Sequence, residues 1–187
     1  MIRTKIDLQK SLNEDSKNFK AVLGFKKRRH QLFTSPISDQ WYIWKYIQYL
    51  RKSEYHLNNK GYYHKFLALW CIYRLRRFSR ITGFQIPPNV IGPGLTIWHW
   101  GPIIINEKAK LGNNCVLNPM VIVGHKIPTG TAPVIGNNVF IGGGAKIIGA
   151  IIIGNNVIVA PNAVVVKDVP DNVIVAGVPA KVIGKVE

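Results

Sequence analysis

The chain has 187 residues, a formal net charge of +16, 47% hydrophobic residues and two cysteines. This hydrophobic fraction supports a packed core and excludes a wholly disordered chain, and two cysteines are too few for a disulfide scaffold. No apolar run is long enough to span a membrane, and the N-terminal residues lack the apolar stretch of a signal peptide, so we expect a cytoplasmic protein.

The positive charge is concentrated in the first part of the chain. Residues 1–80 contain 18 Lys and Arg against five Asp and Glu, whereas residues 81–187 contain seven Lys, no Arg and four acids. A basic segment of this kind indicates an acidic partner, which is a nucleic acid, a membrane surface or an anionic substrate.

The basic segment, residues 1–83, is predicted to be helical. Residues 7–23 combine mixed charge with spaced apolar positions. Ser38 is typical of a helix start, and the aromatic-rich residues 39–55 predict a second helix. Residues 63–80 predict a third helix that ends in a basic run, and Gly83 closes it.

From residue 84 onward an aliphatic residue recurs every six positions. The in-phase positions are Ile105, Leu111, Leu117, Val123, Ile135, Ile141, Ile147, Ile153, Val159 and Val165. Ile91 and Ile97 keep the spacing but lie two residues out of phase. Such a period fits one face of a three-sided coil, and the asparagine pairs starting at 113, 137 and 155 tolerate the left-handed backbone of its corners. Residues 84–187 are therefore predicted to form a left-handed parallel β-helix, which makes the fold mainly β with an N-terminal α-helical segment.

Two segments interrupt this repeat and are candidates for a functional site. His99 lies between Trp98 and Trp100, where the repeat elsewhere has small or aliphatic residues. Residues 124–134 are rich in Gly, Pro and Thr and lack the pattern, so they are predicted to loop out of the coil. Loops that extend from a rigid scaffold often build binding sites.

Three features resemble the hexapeptide-repeat acyltransferases over residues 84–184. They are the six-residue repeats, the loop at residues 124–134 and the terminal sequence AGVPAKVIG. Within that family the likeness is to serine acetyltransferase and to smaller relatives that O-acetylate sugars of bacterial surface polysaccharides. The resemblance implies a homotrimer, acetyl-CoA as co-substrate, no metal, and direct transfer in a ternary complex. It makes His99 the catalytic base, which takes the proton of an attacking hydroxyl, and it makes Glu107 a substrate contact.

The remaining site predictions rest on the same resemblance and on the position of each residue. Asn118 and His125 are candidate acceptor contacts. The alternative for Asn118 is a structural role at a corner of the coil, and the alternative for His125 is a loop position exposed to solvent. Trp98 and Trp100 either stack on a sugar ring or cover the coil. The predicted acetyl-CoA contacts are Gly143, Gly144, Ala145, Lys146, Ala160, Pro161, Lys167, Pro179 and Lys181.

The chain departs from the serine enzymes in ways that bear on the acceptor. They carry an Asp fifteen residues before the catalytic His, where this chain has Phe84, and a His-Pro pair where it has Ala132-Pro133. Their N-terminal helical domain is also longer. We therefore expect acetyl transfer to a sugar hydroxyl of a bacterial surface polysaccharide or its precursor, with serine O-acetylation as the alternative.

Other classes of function fit less well. A γ-type carbonic anhydrase needs three His zinc ligands, and this half of the chain offers only His99 and His125. A nucleic-acid-binding module would use the basic runs at residues 26–30 and 74–80, but no known nucleic-acid motif accompanies them. A non-catalytic scaffold is a further alternative. We expect the basic helices to dock an acidic glycan or a lipid-linked precursor, with peripheral contact at the inner membrane face.

Overall fold

The computed structural model describes residues 1–22, 38–127 and 130–186. The helices within these residues are α1 (Lys5–Val22), α2 (Asp39–Leu57) and α3 (Tyr62–Thr82). All three predicted helices are confirmed to within a few residues, while the basic run at residues 26–30 lies outside the described residues. None of the described helices has the length and apolar character needed to cross a membrane.

The helix boundaries follow from local capping. The Ser38 side chain accepts a hydrogen bond from the Trp41 amide and so caps the start of α2. Gly83 has a φ of 81° and donates its amide to the Ser79 carbonyl, which ends α3. A side chain at this left-handed position would be strained, so glycine suits the turn that leads into the first strand.

The rest of the described chain forms short strands around a three-sided coil. In chain order they are β1 (Phe84–Gln85), β2 (Thr96–Ile97), β3 (Ile103–Ile105), β4 (Lys110–Leu111), β5 (Val116–Leu117), β6 (Ile122–Gly124), β7 (Val134–Ile135), β8 (Phe140–Ile141), β9 (Lys146–Ile148), β10 (Ile152–Ile153), β11 (Ile158–Val159), β12 (Val164–Val165), β13 (Val173–Gly177) and β14 (Ala180–Lys185). Face 1 consists of β1, β3, β6, β9 and β12, face 2 of β4, β7 and β10, and face 3 of β2, β5, β8, β11, β13 and β14. The pairs are parallel except the terminal hairpin of β13 and β14. The predicted left-handed β-helix is confirmed, and all ten in-phase aliphatic residues are buried in its core.

The edge between faces 2 and 3 is held by a ladder of asparagine side chains. Asn114, Asn138 and Asn156 all have φ between 54° and 57°, so the second residue of each pair makes the left-handed corner. Their amides bond one to the next over 2.9–3.1 Å, and Asn172 forms the last rung. Asn18 of α1 donates to Asn114 over 2.9 Å, so the ladder begins in the helical segment.

The helical segment caps the open end of the β-helix through a buried ion network. Arg51 of α2 bonds to Asp15 of α1 over 2.7 Å and to Glu54 over 3.1 Å, and it donates to the carbonyls of Ile91 and Gly92. Asp15 in turn accepts two backbone amides from the same loop of the first coil. The helices and the first coil are therefore packed as one unit.

Candidate active site

His99 lies at an expanded corner between faces 3 and 1. Six residues separate Ile97 from Ile104, whereas four separate their ladder partners, Leu117 and Ile122. The first coil thus carries two extra residues at this corner. This insertion explains why Ile91 and Ile97 are out of phase with the repeat, and it places His99 in solvent beside the fully buried Ile97.

The expanded corner is supported by aromatic packing on both sides of His99. The Trp98 ring contacts Phe140 of β8 at a centroid distance of 5.6 Å, and the Trp100 ring contacts Tyr42 of α2 at 5.6 Å. The Trp98 indole nitrogen is buried without a hydrogen-bond partner among the described residues. Trp98 therefore covers face 3, while the half-exposed Trp100 is better placed to meet an acceptor.

Neither ring nitrogen of His99 bonds to a described residue, so the imidazole is open to a ligand. Phe84, which stands where the serine enzymes have an Asp, is fully buried and packs edge-on against Tyr46 at 5.1 Å. It faces the core and gives His99 no polar partner.

Asn118 lies one coil below the expanded corner. It follows Leu117, which pairs with Ile97, so Asn118 sits opposite Trp98. Its side chain is buried, and its amide donates to the Ile141 carbonyl over 3.0 Å. These contacts fit the alternative of a structural corner asparagine better than a direct acceptor contact.

Most of the predicted acetyl-CoA residues continue down the same edge, which we call the His99 edge. It consists of the corners at residues 98–102, 118–121, 142–145 and 160–163. Backbone bonds of 2.9 Å join successive corners, from the Gly144 amide to the Pro119 carbonyl and from the Asn162 amide to the Gly143 carbonyl. The hairpin turn before Ala180 carries Pro179 to the bottom of this edge, with Lys181 on the strand that follows.

Glycines make this edge flat. A Cβ at Gly144 would lie 2.1 Å from the Asn162 side-chain oxygen, so the corner requires glycine. A Cβ at Gly143 would make only ordinary contacts, the nearest with the Pro119 carbonyl oxygen at 3.5 Å, so this partly exposed position has room for a small side chain. Lys146 bends back over this corner and donates to the Gly144 carbonyl over 2.9 Å. The edge is therefore a narrow surface of backbone and small residues, with the positive charge of Lys146 beside it.

Other predicted site residues lie on a different edge, between faces 1 and 2, which we call the loop edge. His125 begins the extended loop there, and its ring nitrogen is 2.8 Å from the Asn106 amide nitrogen. Glu107 follows Asn106 and lines a groove of about 580 Å³ between α3 and the β-helix, which Arg76 also lines. Lys167 lies on this edge as well, so the structure separates it from the other predicted acetyl-CoA residues.

The loop edge also contains a second groove that the sequence does not reveal. It has a volume of about 670 Å³, and its mainly apolar lining includes Ile127 and Ile151 with Lys126 and Lys167. Asn106 and Lys126 were not predicted as site residues. In the sequence each is only a polar residue at a corner of the repeat. Since any corner of the repeat accepts a polar residue, this does not mark a site.

Among the described residues, neither the cysteines nor the metal-binding residue types form a competing site. Cys115 is buried in the core, where burial raises the pKa of its thiol to about 11, and burial also raises the pKa of Cys71. A thiol held protonated is a poor nucleophile. Within residues 1–22, 38–127 and 130–186, no three His, Cys, Asp or Glu side chains are grouped as metal ligands.

Comparison with known proteins agrees with the fold. Residues 132–167 match the bacterial transferase hexapeptide (six repeats) family. No curated protein matches the chain significantly. A serine acetyltransferase from Brucella abortus strain S19 is 27% identical with a TM-score of 0.75, over 98% of this chain and 71% of that one. The Brucella enzyme in complex with coenzyme A is 28% identical with a TM-score of 0.75, over 98% and 70%. Neisseria gonorrhoeae serine acetyltransferase in complex with serine is 29% identical with a TM-score of 0.71, over 96% and 70%.

Proposed function

We propose that this protein is an acetyl-CoA-dependent O-acetyltransferase in which His99 is the general base. The observation that carries the proposal is the position of His99. It is the exposed imidazole on a corner expanded by two residues, directly above the flat His99 edge. The likeness to a serine acetyltransferase with coenzyme A bound supports the same function.

The His99 imidazole has the chemistry that acyl transfer to a hydroxyl needs. It takes the proton of the acceptor hydroxyl as the hydroxyl oxygen attacks the thioester carbonyl. The resulting imidazolium then returns the proton to the thiolate as the carbon–sulfur bond breaks. Gly143 and its neighbours leave room for an extended chain along the edge, and Lys146 and Lys181 supply positive charge for phosphates. Acetyl-CoA supplies the activated acetyl group when it is bound.

The acceptor is the finer part of the proposal, and two candidates have support. The solved structures described above are serine acetyltransferases, and one of them contains serine, which favours serine. Phe84 and Ala132 favour a sugar hydroxyl, because they replace polar residues of the serine enzymes and both are buried. The structural likeness weighs more for serine than the two substitutions weigh for a glycan.

We further propose that the complete site forms between two copies of the chain. His99 lies on one edge of the β-helix, while Glu107, His125, Lys126 and Lys167 lie on another, so one copy does not bring them together. Side-by-side association, as in a homotrimer, would place the His99 edge of one copy against the loop edge of the next. The two Lys of the loop edge would then add to the positive charge near the bound phosphates.

The test measures thiol release from acetyl-CoA with serine, free sugars, nucleotide sugars and isolated oligosaccharides as acceptors. Turnover with serine alone would contradict the glycan acceptor, and turnover with a sugar alone would contradict serine. Absence of thiol release with every acceptor, together with no acetyl-CoA binding, would overturn the enzyme proposal itself.

A second experiment tests the shared site. His99→Asn and the double variant Lys126→Gln/Lys167→Gln are each expected to be impaired. Dissociating both variants, mixing them and reassembling them should restore activity, because some interfaces then combine two intact edges. If the mixture is no more active than its components, the site does not lie between copies.

A further inference from the structure

The outward side of α3 is unusually apolar for a surface helix. Tyr62, Phe66, Leu69 and Tyr73 recur at steps of four, three and four residues, so they share one side of the helix. Their exposed fractions run from 58% to 91%. The opposite side of α3, which includes Leu75 and Phe78, is buried against the rest of the fold. Contiguous exposed apolar side chains of this kind mark interaction surfaces.

Positive charge continues the same stripe toward the end of α3. Arg77 and Arg80 follow Tyr73 on the outward side and are exposed. We call Tyr62, Phe66, Leu69, Tyr73, Arg77 and Arg80 together the α3 outer face. Within the described residues the ion pairs all involve Arg51, so neither of these arginines has an acidic partner there.

The acids of the helical segment do not neutralise this face. Helix α3 contains no Asp or Glu. Asp15 and Glu54, which lie on the neighbouring helices, are buried and bonded to Arg51. The positive charges of Arg77 and Arg80 are therefore exposed and unpaired among the described residues. Pairing this face with a second copy would bury arginines against a surface that offers no acidic side chain, which disfavours a self-interface.

We propose that the α3 outer face binds the surface of an anionic lipid bilayer. Aromatic and leucine side chains on one side of a basic helix insert at headgroup depth, and arginines contact the anionic headgroups. Tyr62, Phe66 and Tyr73 supply the inserted part, and Arg77 and Arg80 supply the charge. The proposal does not depend on acetyl transfer, since no residue of the α3 outer face has a part in the proposed reaction.

Flotation of the full-length protein with lipid vesicles tests this proposal. We expect binding to vesicles of phosphatidylglycerol and phosphatidylcholine, and little binding to phosphatidylcholine alone. Arg77→Gln/Arg80→Gln should weaken binding about thirtyfold, since each arginine near an anionic surface contributes about fivefold. Phe66→Ser/Tyr73→Ser should weaken it similarly. The matched control is Lys10→Gln/Lys17→Gln, which removes the same charge from exposed positions of α1 and should change binding much less.

Three results would overturn the proposal. One is equal binding to both kinds of vesicle, or to neither. Another is an equal loss in the α3 and α1 charge variants, which would indicate general attraction of a basic chain. The last is concentration-dependent self-association that Phe66→Ser/Tyr73→Ser abolishes, since the face would then join copies of the chain. Thermal unfolding at the wild-type temperature establishes that the variants are folded.

Discussion

The Gly101 amide donates a hydrogen bond of 2.9 Å to the Thr82 carbonyl, and this bond ties the end of α3 to the corner that carries His99. Gly101 has a φ of 138°, and a Cβ there would lie 3.0 Å from the Pro119 Cβ. The position of His99 thus depends on a glycine held between the helix above and the coil below.

We expect Gly101→Ala to lower kcat for acetyl transfer about ten- to a hundredfold, because a displaced corner misplaces His99. The KM for acetyl-CoA should stay close to wild type. Gly61→Ala is the matched control, since Gly61 also has a positive φ of 109° but has no neighbour within 4 Å of the added Cβ. Steady-state kinetics of both variants checks the prediction, and equal losses would assign the effect to general strain instead.

His99→Asn should reduce kcat by about 10²–10⁴-fold, which is the usual contribution of a general base. Acetyl-CoA binding, measured by calorimetry, should be unchanged because none of the predicted acetyl-CoA contacts is at the corner that carries His99. His64→Asn on α3 serves as the control and should keep full activity. A His99→Asn enzyme within a few-fold of wild type would exclude His99 as the base.

The β-helix could be predicted because every six-residue repeat occupies the same structural environment. Ile135, Ile141 and Ile147 all point into one continuous core, so a simple period carries the whole architecture. The docking of the helical segment could not be predicted in this way. Asn18 and Asp15 are ordinary polar residues of an amphipathic helix, and nothing local marks their contacts with residues about eighty to a hundred positions away.

The sequence predicts candidate site residues one at a time, but it does not predict how they are arranged. His99 and Glu107 are eight residues apart, yet the chain turns a corner and crosses face 1 between them, so they lie on different edges. The edge on which a residue lies depends on the number of residues in each corner. In the sequence, the two-residue insertion at His99 is visible only as a shift in the phase of the six-residue repeat. Asn118 shows the limit clearly, because a corner amide and an acceptor contact have the same sequence signature.

Gly143→Val should raise the KM for acetyl-CoA about tenfold without lowering stability, because its side chain would project over the edge along which the thioester is proposed to lie. Gly184→Val is the control, since its added Cβ would meet only the Ile174 Cδ1 at 3.8 Å and it lies away from that edge. Initial rates against acetyl-CoA concentration distinguish the two. If Gly143→Val binds acetyl-CoA normally, the thioester does not run along this edge.

Arg51→Met should destabilise the fold by about 3–5 kcal/mol, the usual cost of leaving buried charges unpaired. Burial alone would lower the pKa of Arg51, but Glu54 and Asp15 raise it above its ordinary value, so the guanidinium is charged in the fold. Urea unfolding measures the loss. The exposed Arg3→Met is the control and should change stability little. A small effect of Arg51→Met would show that the helical cap is held by apolar packing instead.

The same network predicts a pH dependence with a defined sign. Burial raises the pKa of Glu54 above its ordinary value of 4.5, despite the opposing effect of Arg51. The folded chain therefore binds this proton more tightly than the unfolded chain. Stabilisation from Glu54 is fully present below pH 4.5 and is lost as the pH rises through the raised pKa.

Glu54→Gln tests that sign, because glutamine keeps an oxygen for the Asn89 amide but does not titrate. The free energy of unfolding of wild type minus that of Glu54→Gln should fall as the pH rises from 4.5, by at most about 1.4 kcal/mol per pH unit. The Asp7→Asn variant tests a pH dependence of the opposite sign. Backbone hydrogen bonds from Thr4 and Arg3 lower the pKa of Asp7, so its contribution is lost as the pH falls. A wild-type advantage over Glu54→Gln that grows with pH would mean that the attraction of Arg51 exceeds the cost of burial at this site.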